Sequence, residues 1–210
     1  MAVDDAYISA EDFRARVSKT IATDDLLLGD ILKGVSRLLD RECGDRFFGK
    51  DAEAVTRHYD GNGLARLYID DIASVADLIV KVDLDGDYAY DGGDETLTKD
   101  THFWLGPPNA ALGSEAKPYR YLEIVPSNGR LSVWPAQVRA VQVTAIFGWP
   151  AVPEAIIDAV VMMAREITDL EEAGMTAALQ NIDTAVNLSP VAFSIVQRIK
   201  REYGRASLFV

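Results

Sequence analysis

Hydrophobic positions along this chain recur with two periods, and the switch between them divides it. Between Thr23 and Gly44 apolar residues return every three or four positions. Leu28, Ile31, Leu32, Val35, Leu38 and Leu39 form one stripe, the pattern of a helix with one face on a core. Thr23-Asp24-Asp25 supplies its start, Arg37 and Arg41 lie toward its negative end, and Cys43-Gly44 ends it. A shorter helix precedes it, with Ser9 as N-cap, Asp12 at the third helical position, and Phe13 and Val17 as its buried side.

From about Ala54 the period falls to two. Val55–Tyr59 and Leu64–Ile69 flank Asp60-Gly61-Asn62-Gly63, which predicts a hairpin. Val75–Val82 reads as a further strand, turned at Asp83–Asp87 into Tyr88-Ala89-Tyr90, with Asp91-Gly92-Gly93-Asp94 as the next loop. Thr101–Leu105 reads as a strand stopped by Gly106-Pro107-Pro108. Tyr119–Ile124 is expected to pair with Arg130–Trp134 across Pro126-Ser127-Asn128-Gly129.

The chain is organised around Val138–Glu172. Val141, Val143, Ala145 and Phe147 share one face of a strand, with Gln142 and Thr144 on the other. Gly148 and Pro150 end it, and Pro153 fits a first helical position. A helix follows with Ile156, Val160, Met163, Ile167 and Leu170 as its stripe, widened by Ile157, Val161 and Ala164. That width predicts more than one packing neighbour, in the same chain or another copy. Gly174 is a candidate C-cap, and Thr176–Val186 a short helix. Ser189-Pro190 starts a last helix carrying Phe193, Ile195, Val196, Ile199 and Tyr203, and Gly204 ends it.

Helices, then strands, then helices predict an α+β fold: a helical bundle core from both chain ends with an inserted small antiparallel β domain. The expected divisions are 1–50 plus 151–204 for the helical core, 51–150 for the β domain, and 205–210 for a C-terminal arm.

Composition narrows the function more than the fold. Of 210 residues, 49% are apolar and 26% charged, as in an ordinary globular protein. No run is long enough to cross a membrane, and the acidic N-terminus lacks the apolar core of a secretory signal. A formal charge of −12 argues against tight binding to phosphate backbones, yet suits an acidic wall past which DNA slides. The single Cys43 excludes an intrachain disulfide and a Cys-cluster zinc site.

Candidate chemistry is sparse. Asp83-Leu84-Asp85-Gly86-Asp87 places alternate carboxylates as a calcium loop does, but Tyr88 stands where an EF-hand needs Gly and Asp94 where it needs Glu. A solvated hairpin turn is the better reading. His58 and His102 sit in strand patterns with no ligand spacing, and neither a nucleophile elbow nor a phosphate loop is present. No catalytic residue, metal or cofactor is therefore expected. Tyr68, Tyr88, Tyr90, Trp104, Tyr119, Tyr121 and Trp134 crowd the β block, either as sheet packing or as a binding face for sugar, nucleic acid or protein, which makes a carbohydrate- or small-ligand-binding module the alternative function.

The run Val141-Gln142-Val143-Thr144-Ala145-Ile146-Phe147-Gly148-Trp149-Pro150-Ala151-Val152-Pro153-Glu154-Ala155-Ile156 resembles the signature of phage head–tail connector proteins, also found in gene transfer agents. In these a V-x-V-x-A-x-F-G-[WY] strand is followed by V-P-x-x-I and a long helix. Thr98–Trp104 and Tyr121–Ile124 also resemble the β block of such adaptors, and the remaining helices fit by order. The resemblance implies a non-enzymatic structural protein of the virion neck, made in the host cytoplasm. Copies would form a homo-oligomeric ring, usually a dodecamer, between the portal protein and a tail-side stopper or tail terminator protein. DNA would pass through the ring without specific binding. It makes Arg205, Ser207, Leu208, Phe209 and Val210 candidates for portal contact. The wide stripe makes Ile157, Val161, Ala164 and Arg165 candidates for ring packing.

Overall fold

The computed structural model of the chain describes residues 6–17, 24–110, 112, 116–127, 130–172 and 190–204. They fall into two compact units: Gly49–Ala151, and the described parts of Val3–Phe48 and Val152–Val210.

The first unit is built on one antiparallel sheet. Its strands are β1 (Val55–Tyr59), β2 (Arg66–Val82), β3 (Thr96–Leu97), β4 (Phe103–Gly106), β5 (Tyr119–Ile124) and β6 (Val141–Phe147). They run in the order β1-β6-β2-β5-β4, with β3 paired to β2 off that path. Alternation puts Val141, Val143, Ala145 and Phe147 of β6 in the core and leaves Gln142, Thr144 and Ile146 on the other face. Val82 and Val80 lie opposite Val141 and Val143, and Leu67, Leu122 and Leu105 face one another across β2, β5 and β4. Residues directly opposed across strands share a face, so these side chains form one cluster with Ile72, Phe103, Ile124 and Trp134. Trp134 is on no strand. Its backbone N–H donates to Leu64 O at 2.9 Å and its indole Nε1 to Ala65 O at 3.2 Å, which pins the loop before β6 onto the start of β2.

This sheet overturns the expected architecture. The protein is α+β, but its dominant element is the six-stranded sheet with a core of its own, not a helical bundle with a small β insertion. The strands look minor in sequence because most are short. Long-range pairing joins them: β1 bonds to β6, so that Val55 meets Ala145. The expected hairpin of Val55–Tyr59 with Leu64–Ile69 is accordingly absent, since β6 lies between β1 and β2. Leu64–Ile69 and Val75–Val82, read as separate strands, belong largely to one strand of 17 residues, β2. The five-residue step from Ser74 to Ile79 spans the two-residue step from Ile146 to Thr144 on β6, a bulge that holds Asp77 at φ +61°. Arg130–Trp134 forms no strand. β4 takes the place on β5 expected for it, and Trp134 is drawn into the core.

The second unit holds α1 (Ala10–Arg16), α2 (Asp25–Glu42), α3 (Glu154–Glu172) and α4 (Pro190–Tyr203). Ser9 Oγ accepts the Asp12 N–H at 3.0 Å and Asp24 Oδ1 the Leu26 N–H at 2.8 Å, so both N-caps are satisfied. Pro153 lies one position before α3, where its carbonyl accepts the N–H groups of Ile156 and Ile157. α3 packs on α2 and on α4, burying Ile156, Val160, Met163 and Ile167 among the same unit's Leu28, Leu32, Val35, Ile195 and Ile199. Gly174 and Thr176–Val186 lie outside the described residues. Among those described, no helix is long and apolar enough to cross a membrane.

A buried polar knot ties the N-terminal segment to α2. The Tyr7 N–H donates to Ser36 Oγ at 3.1 Å, the Tyr7 hydroxyl bonds the Asp40 carboxylate, and the same hydroxyl accepts the Phe48 N–H at 2.8 Å. Arg37 Nη2 stands 3.3 Å from Asp40 Oδ2. Burial raises the Asp40 carboxyl to about 6 despite the Tyr7 hydroxyl and Arg37, which both lower it. Between its ordinary value and 6, the folded chain keeps a proton that the unfolded chain has lost, so this group's contribution to stability falls as pH rises through that window. Asp40→Asn cannot lose that proton. Relative to the natural chain, the variant gains about 2–3 kcal/mol between pH 4 and pH 7, as measured by urea denaturation at each pH.

Candidate interaction surfaces

The segment that carries the family resemblance has a defined physical form. β6 ends at Phe147, and Gly148 takes φ +110°. Its N–H donates to Asp71 O at 2.7 Å, and a Cβ on it would lie 2.0 Å from Gly49 O, so only glycine fits. The Trp149 N–H then donates to Gly49 O at 2.8 Å. Arg57 lies with its guanidinium 4.1 Å from the Phe147 ring centroid and its Nη1 2.9 Å from Asp70 Oδ2.

The most distinctive exposed surface of the sheet unit lies across β2, β5 and β4, on the face away from the core. Register sets Arg66 opposite Glu123 and Glu123 opposite Trp104; in the next row Tyr68 faces Tyr121 and Tyr121 faces Gly106. Arg66 Nη2 bonds Glu123 Oε2 at 3.0 Å, and its guanidinium stands 4.3 Å from the Tyr121 ring centroid. The Tyr68 and Tyr121 rings meet edge to face at 5.8 Å. The Tyr121 ring leans over Gly106, where a Cβ would come within 2.0 Å of it. Trp104 and Tyr68 remain 45% and 49% exposed. The one guanidinium and one carboxylate here are paired, so the patch is locally near neutral on a chain of formal charge −12. Exposed Trp, Tyr and Arg are the residue types on which binding energy concentrates in protein interfaces. Of the other aromatics, Tyr88 is exposed, Tyr119 half-buried, and Tyr90 and Trp134 buried. The pattern singles out the rings but not Arg66, Glu123 or Gly106. Their alternation with Leu67, Leu122 and Leu105 is the signal that marks them.

The ring-packing candidates divide. Ala164 is fully buried within its own unit, Ile157 and Val161 are half-buried along the margin of α3, and Arg165 is exposed with its Nε 3.9 Å from Asp169 Oδ2. Met162, on the same helix, is 38% exposed. The portal-contact candidates Arg205, Ser207, Leu208, Phe209 and Val210 lie outside the described residues.

Asp83, Asp85 and Asp87 form the one group of three or more potential ligands found among the described residues, each with a carboxylate oxygen within 4.8 Å of the others. Carboxylate oxygens of all three residues also accept backbone hydrogen bonds within the loop. Asp83 is buried and accepts the Gly86 N–H at 2.7 Å and the Tyr88 N–H at 3.2 Å; Asp85 takes the Asp87 N–H and Asp87 the Ala89 N–H. The Asp87 N–H pulls the Asp85 carboxyl down, but desolvation and the carboxylates of Asp87, Glu95 and Asp83 outweigh it and raise the group. Glu95, also buried, accepts the N–H groups of Leu84 and Gly92.

The histidines lie apart. His58 Nε2 is 3.2 Å from Gln142 Nε2, and its ring is 5.5 Å from Tyr90; burial and the Arg139 charge hold it below its ordinary value. His102 Nδ1 accepts the Thr98 N–H at 2.8 Å. Cys43 is buried at the end of α2, and burial raises its thiol to about 11, far from the thiolate that reactivity needs.

Compared with protein-family models and with curated proteins, the chain matches none. The two tryptophans provide a direct check on the two faces of the sheet. Trp104→Ala is expected to cost less than about 1 kcal/mol, whereas Trp134→Ala costs about 3–5 kcal/mol. Urea denaturation of both variants distinguishes them.

Proposed function

We propose that this protein is a structural head-to-tail adaptor of a tailed phage or phage-like particle. Copies form a ring that joins the portal to the tail-side neck proteins and extends the DNA channel. The observation that carries this reading is the run Val141–Ile156. Its resemblance to the connector signature is matched by a physical role for each part: a strand with one buried face, a glycine no other residue can replace, and a long helix.

The adaptor works by assembly. Its net charge of −12 repels the phosphate backbone, so DNA slides through without being held. In the ring, Ile157, Val161 and Arg165 along α3 meet the adjacent copy, joined by the exposed Met162. Ala164, buried in its own unit, drops out of that contact. The segment from Arg205 meets the portal, and the aromatic face of β2, β5 and β4 meets the tail-side protein. The complete particle holds the protein in its neck.

A second reading, a carbohydrate-binding module, draws on the same face, because exposed rings beside a paired Arg66 and Glu123 are also a stacking platform for sugar.

Light scattering after size exclusion, with and without portal protein, tests the first reading. The expected result is a ring-sized particle, alone or on the portal, which Val161→Asp reduces to monomer while the fold is kept. A monomer indifferent to portal would sink it. Glycan binding abolished by Trp104→Ala would favour the second reading instead.

A further inference from the structure

Two helices of the second unit present opposite charge on their open faces. α3 exposes Glu154, Asp158 and Met162, with Val161 half-buried between them. Helical positions three and four apart are neighbours on one face, so these four residues form a stripe. Arg16 Nη1 lies 2.5 Å from Glu154 Oε1 and 3.3 Å from Asp158 Oδ1, and the two side chains remain 61% and 54% exposed. One guanidinium against two carboxylates leaves the start of the stripe negative. Further along, Arg165 and Asp169 neutralise each other.

α4 carries the reverse. Phe193 is 50% exposed, and Gln197, Arg198 and Arg201 follow on the open side. Neither Arg198 nor Arg201 forms an ion pair with another described residue. Lys200 is held by Glu42 at 3.2 Å, and Glu202 lies about 100° round the helix from Arg201.

Spacing matches as well as sign. Glu154 and Met162 are eight positions apart, as are Phe193 and Arg201, and each interval is about 12 Å of helix. Laid antiparallel, α3 of one copy and α4 of another set Arg201 against Glu154, Arg198 against Asp158 and Phe193 against Met162. The same orientation brings the positive start of α3 to the negative end of α4. Like-with-like pairing across a two-fold axis lacks this match: in the same register it sets Arg201 against Phe193, or Glu154 against Met162.

We propose that α4 of one copy of this chain seats on the α3 stripe of the next, with Arg198 and Arg201 on the acidic end and Phe193 on Met162 and Val161. The inference rests on the adaptor reading and supplies the other half of its ring contact. Because the two faces differ, the contact is head to tail and continues from copy to copy until a ring closes.

The test is a charge exchange in the full chain, read by light scattering under the condition in which the natural chain assembles. One variant carries Arg198→Glu and Arg201→Glu, the other Glu154→Arg and Asp158→Arg. Either variant alone opposes like charges at every contact, so half-assembly needs about tenfold more protein or more. Mixed in equal amounts, the two alternate, each meets a neighbour of opposite sign, and assembly returns. Phe193→Ser weakens assembly in the same way while leaving urea denaturation unchanged, which keeps the test decisive if a charge variant fails to fold. Rings that form as readily from each variant alone, folded variants whose mixture does not recover, or a natural chain that stops at a dimer would each overturn the proposal. A natural chain that forms no ring, with or without portal, removes the adaptor reading and this contact together. Rings that the variants leave intact remove the contact alone.

Discussion

β6 is hydrogen-bonded on both sides, to β1 and to β2, and the sheet unit depends on that placement. Antiparallel pairing at both edges fixes register twice over. Because side chains alternate, a slip of one residue would turn Val141, Val143, Ala145 and Phe147 out of the core together. The strand therefore sets the positions of Val80 and Val82 beside it, and through β2 those of Leu67 and Leu122. The requirement for glycine at 148 follows from the same constraint. With Phe147 held in the core, the chain turns against Gly49 with no space for a Cβ.

The two units satisfy their buried polar groups in the same way. In the sheet unit the carboxylates of Asp83 and Glu95 are buried and accept backbone N–H groups of the loop that follows β2. In the helical unit Asp40 is held by Tyr7 and Arg37, and Arg46 by the Tyr203 carbonyl. A buried charge is tolerated only when its hydrogen bonds are made. Each of these groups thus fixes a piece of irregular backbone that hydrophobic packing alone would leave underdetermined. The acidic loop at Asp83–Asp87 keeps its shape by this means.

Surface chemistry on the sheet follows from the alternation that builds the core. Leu67, Leu122 and Leu105 point inward, and their neighbours Arg66, Tyr68, Tyr121, Glu123 and Trp104 must then point outward. Gly106 opposite Tyr121 allows that ring to lie flat and leaves Tyr68 and Trp104 as the exposed rings. Regular pairing of Arg66–Tyr68 with Tyr121–Glu123, and of Tyr121–Glu123 with Trp104–Gly106, is enough to produce a compact aromatic patch.

Local physics made much of this legible in the sequence. The caps at Ser9 and Asp24, the stripe of α2, the strand β6 and the break at Gly148 all depend on residues within a few positions of one another, so periodicity and turn chemistry suffice to find them. What depends on partners distant in the chain was not accessible in that way. Tertiary pairing decided that β6 separates β1 from β2 and that Trp134 belongs to the core rather than to a strand. It also brought Arg46 from the end of α2 to the last carbonyl of α4. A side chain's period records which face it occupies, but not which of several compatible faces it meets; that choice is made by the packing of the whole chain.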